Sequence, residues 1–213
     1  MKKIVLIGDS IRQGYDKYVR MAFDGVAEVY YPEGNCCFTS HILRRILDWK
    51  EQMRCDDDVD LVHWNAGLWD DLIMIDGKNH TPLYIYEENV ARICDMIKIL
   101  YPKAKMIFAT STPCNEEGFK THKYKRTNAD TERYNEAASR IVLSYGGRIN
   151  DLYGLLKDDH MAYHSDQTHY YTKEGTRVIA GQVIQCIEET LGIQSKPLDY
   201  DRLFAGKNDA EGM

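Results

Sequence analysis

Short apolar runs bounded by Gly, Asp, Asn or Pro recur along the chain at residues 4–7, 27–31, 59–64, 105–110 and 148–151. Their length and punctuation predict five β-strands. Between them the apolar positions change to three- and four-residue steps. Val90, Ile93, Ile97 and Leu100 share one helical face within residues 87–100, and Ile42, Leu43, Ile46 and Leu47 share another. Ala137, Ala138, Ile141 and Val142 form a third stripe, with Ile179, Val183 and Ile187 as a fourth. Stripes of this kind face a core. Strands that alternate with such helices imply a parallel sheet covered on both faces, because right-handed crossovers leave few other solutions. The expected fold class is α/β, a three-layer α/β/α sandwich on a five-stranded parallel sheet. Ligands of such sheets gather outside the carboxyl ends of the strands, where strand order reverses. Residues 1–194 read as one domain. Residues 195–213, with Pro197, Gly206, Asn208 and Gly212 and few apolar positions, read as a poorly ordered tail.

The 213 residues include 27 Lys and Arg against 33 Asp and Glu, a formal charge of −6. A chain of this length buries about 70% of its unfolded surface, so it needs no metal or disulfide staple to fold. The acidic balance argues against nucleic acid or anionic lipid as a partner, since both demand clustered basic residues. No run of about 18 apolar residues occurs, so no integral membrane association is expected. Residues 4–7 are too short for a signal-peptide core and read as a strand. Six cysteines without a C-x-x-C pair, two of them the adjacent Cys36 and Cys37, fit a reducing compartment, and the expected location is cytoplasmic. Asp56, Asp57 and Asp58 read as a solvated turn, and Lys120, Lys123, Lys125 and Arg126 as a solvated loop.

Candidate chemistry begins at the end of the first strand. Ser10 follows Gly8 and Asp9 directly before a predicted helix, where unpaired backbone N–H groups and the helix dipole favour negative charge. Such a junction suits a nucleophile and its oxyanion, and equally a plain helix cap. A serine hydroxyl needs a positioned base. Near the other end of the chain Asp166 precedes His169 by three residues, a spacing one turn can fold so that the carboxylate orients the imidazole. The same segment, with His160 and His164, also supplies plausible metal-ligand types, although it matches no standard ligand pattern. No G-x-S-x-G elbow and no G-K-[ST] phosphate loop is present.

With these blocks in place the chain resembles the SGNH or GDSL-type hydrolases. The first block resembles residues 7–10 (Ile-Gly-Asp-Ser), and the last resembles residues 166–169 (Asp-Gln-Thr-His) followed by Gly175. Looser matches are Gly34 after the second strand and residues 65–70 (Asn-Ala-Gly-Leu-Trp-Asp) after the third. The resemblance runs from about residue 2 to residue 191. It implies a flavodoxin-like sheet with Ser10 as nucleophile, His169 as general base and then acid, and Asp166 as orienting carboxylate. It also implies an oxyanion hole with backbone N–H donors at Ser10 and Gly34. The third donor of the family is an Asn side chain in a G-x-N-D block. Here Trp69 stands in that slot, and Asn65, four residues earlier, is the expected replacement.

The function expected from these readings is a serine ester hydrolase that removes a short acyl group, acetyl above all, from a small-molecule or carbohydrate ester. No cofactor and no metal enters that expectation. Trp64, Trp69, Tyr170 and Tyr171 near the site suit stacking on sugar rings, although aromatics this near strand ends more often serve packing. The alternatives are a non-catalytic ligand or carbohydrate-binding module on the same fold, and a metal-dependent hydrolase built on the histidine cluster.

Overall fold

Alternate residues of the first strand, β1 (Lys2–Ile7), feed two different cores, which is why it reads as an unbroken apolar run. Ile4 and Leu6 join the cluster under α1 (Ser10–Ala22) and α8 (Lys173–Leu191). Val5 and Ile7 join the opposite cluster under α2 (Thr39–Met53), α3 (Leu83–Leu100) and α5 (Asn128–Ser144). The computed structural model describes residues 1–205. The remaining strands are β2 (Ala27–Tyr30), β3 (Leu61–Trp64), β4 (Lys105–Ala109) and β5 (Arg148–Asn150). Four short helices complete the described residues: α4 (Glu116–Phe119), α6 (Leu152–Leu156), α7 (His160–Tyr163) and α9 (Tyr200–Phe204).

All neighbouring strands are parallel, in the order β2-β1-β3-β4-β5. The expected three-layer α/β/α sandwich on a five-stranded parallel sheet is therefore present. From β1 the chain winds outward to β2, then returns to the other side of β1 for β3. The carboxyl end of β1 is thus the topological switch point, and Ser10 lies three residues beyond it.

One polar residue interrupts the apolar sheet. His63 on β3 is fully buried on the α1/α8 face. Asn150 donates its amide to His63 Nε2 at 3.2 Å, which leaves Nδ1–H to face the Tyr15 hydroxyl at 3.4 Å. Burial pushes the imidazole from 6.5 down to about 3. The unfolded chain takes up this proton near pH 6.5 and the folded chain does not, so acid favours unfolding across that interval. Between about pH 6 and pH 4 the wild type should lose ~1.4 kcal/mol of stability per pH unit through this group. Urea unfolding of His63→Gln should show a correspondingly shallower dependence. Equal slopes for the two proteins would remove His63 from the acid response.

Residues 195–205 depart from the frayed tail expected of them. Lys196 N–H donates to the Ala22 carbonyl at 2.7 Å, and Ser195 N–H to Glu188 Oε1 at 2.7 Å. Phe204 is buried and stacked on Tyr18, with ring centroids 5.9 Å apart. Leu198, Tyr200 and Leu203 pack beside it, and this apolar set was hidden by averaging over the whole tail. Residues 206–213 of that predicted tail lie outside the described residues.

Candidate active site

Ser10 opens α1, and its neighbour Asp9 caps the helix by accepting the Ile11 N–H at 2.9 Å. The cap fixes the strand-to-helix turn and leaves the serine side chain free for other work. Gly8 is required by close approach, because a Cβ there would run into the Asn65 side chain.

The loop before α8 brings the far end of the chain to this turn. Asp166 Oδ1 accepts the backbone N–H groups of Thr168 at 2.6 Å and His169 at 2.7 Å, which folds the segment back on itself. Its other oxygen lies 2.7 Å from His169 Nδ1. A carboxylate only accepts, so Nδ1 carries the proton and Nε2 is left as the basic nitrogen. That nitrogen lies 2.8 Å from Ser10 Oγ. Partial burial of Asp166 opposes its charge, but the ring N–H and two backbone N–H bonds outweigh it and hold the carboxyl well below the usual range. The His169 side chain remains a quarter exposed, open to a substrate.

Tyr171 braces both halves of this relay. Its ring stacks on the His169 imidazole at 4.7 Å and 16°, and its hydroxyl donates to the Ser10 carbonyl at 2.8 Å. Gly14 makes room for it, since a Cβ at that position would approach the Tyr171 ring to 2.8 Å.

Behind the site, loops from four strands are tied together. Cys36 N–H donates to the Gly8 carbonyl at 3.1 Å. Asp70 accepts the Thr39 hydroxyl at 2.6 Å, which anchors the start of α2, and burial raises that carboxyl to about 7. Arg126, expected in a solvated loop, is buried instead. Its Nε lies 2.9 Å from Asp71 Oδ1, one terminal nitrogen donates to Thr168 Oγ1 at 3.2 Å, and the other donates to the Leu68 carbonyl. Burial pushes the Asp71 carboxyl up, and the Arg126 charge pulls it back. No sequence signal pairs these two residues, because they lie in separate loops.

The expected oxyanion donors are placed less uniformly. Asn65 is buried, and its amide donates to Asp9 Oδ1 at 2.9 Å, so one of its two amide hydrogens is already used. Gly34 turns its carbonyl to Arg12 at 2.5 Å, and a Cβ there would meet nothing within 4 Å. No protein neighbour therefore demands glycine at this position, which stays open to a ligand's approach. The loop's left-handed residue is Cys37, at φ 55°, which the sequence reading passed over. Trp69 is 39% exposed, whereas Trp64 and Tyr170 are buried in the two cores and offer no face to a ligand. Burial thus removes two of the four aromatics expected to stack on a sugar. His160 Nδ1 lies 3.1 Å from His164 Nε2, and His164 stacks on Tyr170 at 4.2 Å. Among the described residues no three His, Cys, Asp or Glu side chains group to hold a metal ion. Among the same residues no helix is long and apolar enough to cross a membrane.

No protein-family model matches the chain. Over 119 residues, 52% of this chain, it is 27% identical to the GDSL esterase/lipase WDL1 of Oryza sativa subsp. japonica. The matched stretch spans 45% of that relative's length, less than half of it. Among solved structures it is similar to the lipase/acylhydrolase from Enterococcus faecalis, with a TM-score of 0.71 and 17% identity over 93% of this chain and 100% of the other. The acetyl xylan esterase AlAXEase gives 0.68 and 14% over 87% and 99%. A mutant of Axe2, an acetyl-xylooligosaccharide esterase from Geobacillus Stearmophilus, gives 0.65 and 16% over 93% and 97%.

Proposed function

We propose that this chain, allied by its fold and its ordered sequence blocks with the SGNH/GDSL-type hydrolases, is a carboxylic ester hydrolase acting through an acyl-serine at Ser10. The observation that carries the reading is the 2.8 Å contact between Ser10 Oγ and His169 Nε2, formed by residues 159 positions apart. Nothing local to either segment demands that contact.

In the proposed mechanism Ser10 Oγ attacks the ester carbonyl carbon as its proton passes to His169 Nε2. The carbonyl oxygen becomes an oxyanion. Its proposed donors are the Ser10 N–H at the start of α1, the amide hydrogen of Asn65 not used by Asp9, and the Gly34 N–H. Gly34 is retained because its loop is tied to Gly8 through Cys36. Collapse of the intermediate expels the alcohol, which takes the proton from His169. A water then attacks the acyl-serine as His169 accepts one of its protons, and the carboxylic acid leaves with Ser10 restored. Asp166 stays ionised throughout and keeps the imidazole in the productive tautomer.

Acetyl is the proposed acyl group and a small molecule or carbohydrate the proposed alcohol. Two neighbours of the same fold are esterases of acetylated xylan or xylo-oligosaccharide, and the exposed Trp69 offers a surface for a sugar. Six free thiols among the described residues support a reducing, cytoplasmic setting. The test is hydrolysis of an aryl acetate together with labelling by a serine-reactive phosphonate. Stoichiometric label on Ser10, absent in Ser10→Ala, is expected. Hydrolysis that survives unchanged in both Ser10→Ala and His169→Ala would defeat the assignment, and ligand binding without labelling would favour a non-catalytic module.

A further inference from the structure

Two residues after Ser10 stands a charged side chain that the proposed mechanism does not use. Arg12 is fully buried, with its guanidinium carbon 5.8 Å from the centre of the Tyr31 ring. One terminal nitrogen donates to the Pro32 carbonyl at 3.0 Å and to Asp16, one turn further along α1. The other donates to the Gly34 carbonyl at 2.5 Å, reaches the Gly8 carbonyl at 3.4 Å and faces Cys36 Sγ at 3.9 Å. Its Nε has no partner among the described residues.

Energetics argue against a plain staple. Asp16 is buried as well; burial pushes its carboxyl up, and the Arg12 charge pulls it back. Two buried charges carry a desolvation cost that their attraction repays incompletely, and apolar side chains of similar volume commonly hold a core as well or better. The fork itself has no apolar substitute. A guanidinium presents its donors in one rigid plane, so the acceptors bound to it are fixed relative to one another. Here those acceptors belong to two parts of the site that are apart in sequence, the Gly8 turn before Ser10 and the loop of residues 32–36.

The grip brackets a single peptide. The Pro32 carbonyl belongs to the peptide before Glu33, and the Gly34 carbonyl to the peptide before Asn35. Between them lies the Glu33–Gly34 peptide, which carries the Gly34 N–H. Peptides are planar and turn only about φ and ψ, so pinning both flanking groups limits the direction in which that N–H points. The Gly8 carbonyl also accepts the Cys36 N–H at 3.1 Å, which references the same loop to the Ser10 turn a second time. Gly34 is thus held through its carbonyl and open where a side chain would stand.

We infer that Arg12 is a positioning residue for the oxyanion hole: its fork sets the separation of the Ser10 turn and the Gly34 N–H, and Asp16 supplies the counter-charge that lets the guanidinium be buried there. The inference rests on the ester-hydrolase reading for the reaction and on the Arg12 contacts for the role.

Two variants separate positioning from packing. Arg12→Met combined with Asp16→Leu removes both charges and keeps the volume, so a Tm close to that of the wild type is expected. Arg12→Lys keeps the charge beside Asp16 but replaces the fork by a point donor. Each is assayed on an aryl acetate, with active sites counted by a serine-reactive phosphonate taken to completion. The kcat per labelled site should fall by about 10^2-fold in the double variant and about tenfold in Arg12→Lys, with KM held within about twofold. Labelling should stay stoichiometric, because Ser10 and His169 are untouched. Binding of an aryl trifluoromethyl ketone, whose adduct on Ser10 carries the oxyanion, should weaken in parallel with kcat/KM across the wild type and both variants. Should the double variant not fold, Arg12→Lys carries the test alone. A purely structural role would lower the labelled fraction and leave kcat per labelled site and the ketone's affinity unchanged. That result overturns the inference, as does a kcat per labelled site within about threefold of the wild type in the folded variants. A wild type that is neither labelled nor active on an aryl ester sinks the ester-hydrolase reading itself, whereas a labelled, active wild type with unaffected variants sinks only the role of Arg12.

Discussion

His169→Ala is expected to lower kcat on a short-chain aryl ester by about 10^4–10^6-fold with little change in KM. Among the described residues the ring alone touches both the Ser10 hydroxyl and the Asp166 carboxylate. In the proposed mechanism its loss leaves the serine proton without an acceptor in attack and the departing alkoxide without a donor in collapse. Ser10→Ala should be as severe, and the double variant no worse than either single one, because the two act as one unit. Asp166→Asn should cost about 10^4-fold, since an amide oriented to donate favours the wrong tautomer of the imidazole. Its exposed carboxylate makes this a loss of rate more than of folding. A His169→Ala protein that keeps more than a tenth of wild-type kcat would show that the relay is not the reacting group.

The extent to which the site was legible in the sequence follows the range over which each interaction acts. Ser10 stands where a strand pattern gives way to a helix pattern, and the Asp166–His169 spacing closes within a single turn, so both were readable locally. Their meeting across 159 positions needed the parallel topology, which the alternation of strand and helix supplied. Arg126 was misread because a cation among three lysines looks solvated, whereas its partner Asp71 is 55 positions away in another loop. Crowding by protein neighbours is a property of three dimensions: it falls at Gly8 and spares Gly34, and residue type alone does not tell the two glycines apart. Cys37 was weighed only as a thiol, although its left-handed backbone is what distinguishes it. Trp64 and Tyr170 left two readings open, stacking on a ligand or packing, because residues near strand ends alternate between pocket and core, and their burial decides for packing.

Arg126→Met is expected to destabilise the protein by about 3–5 kcal/mol, because it leaves the fully buried Asp71 carboxylate without its counter-charge. In a domain of this size that corresponds to a fall in Tm of roughly 6–20 °C. The cause is an orphaned charge, not lost volume, so Asp71→Asn in the same chain should restore much of the stability, and thermal melts of the single and double variants separate the two explanations. Catalysis should not return in parallel. Arg126 also holds the Leu68 carbonyl beside the expected oxyanion loop and Thr168 Oγ1 in the turn that presents His169. Removing both ties loosens the distance on which proton transfer depends, where even a displacement of about 1 Å costs on the order of 10^2-fold. The double variant is therefore expected to fold well and to remain slow, with the deficit in kcat and not in KM. Full recovery of kcat along with Tm would reduce Arg126 to a partner for a buried acid. A deficit that persists makes it the residue through which the β3 loop and the histidine loop are held in register.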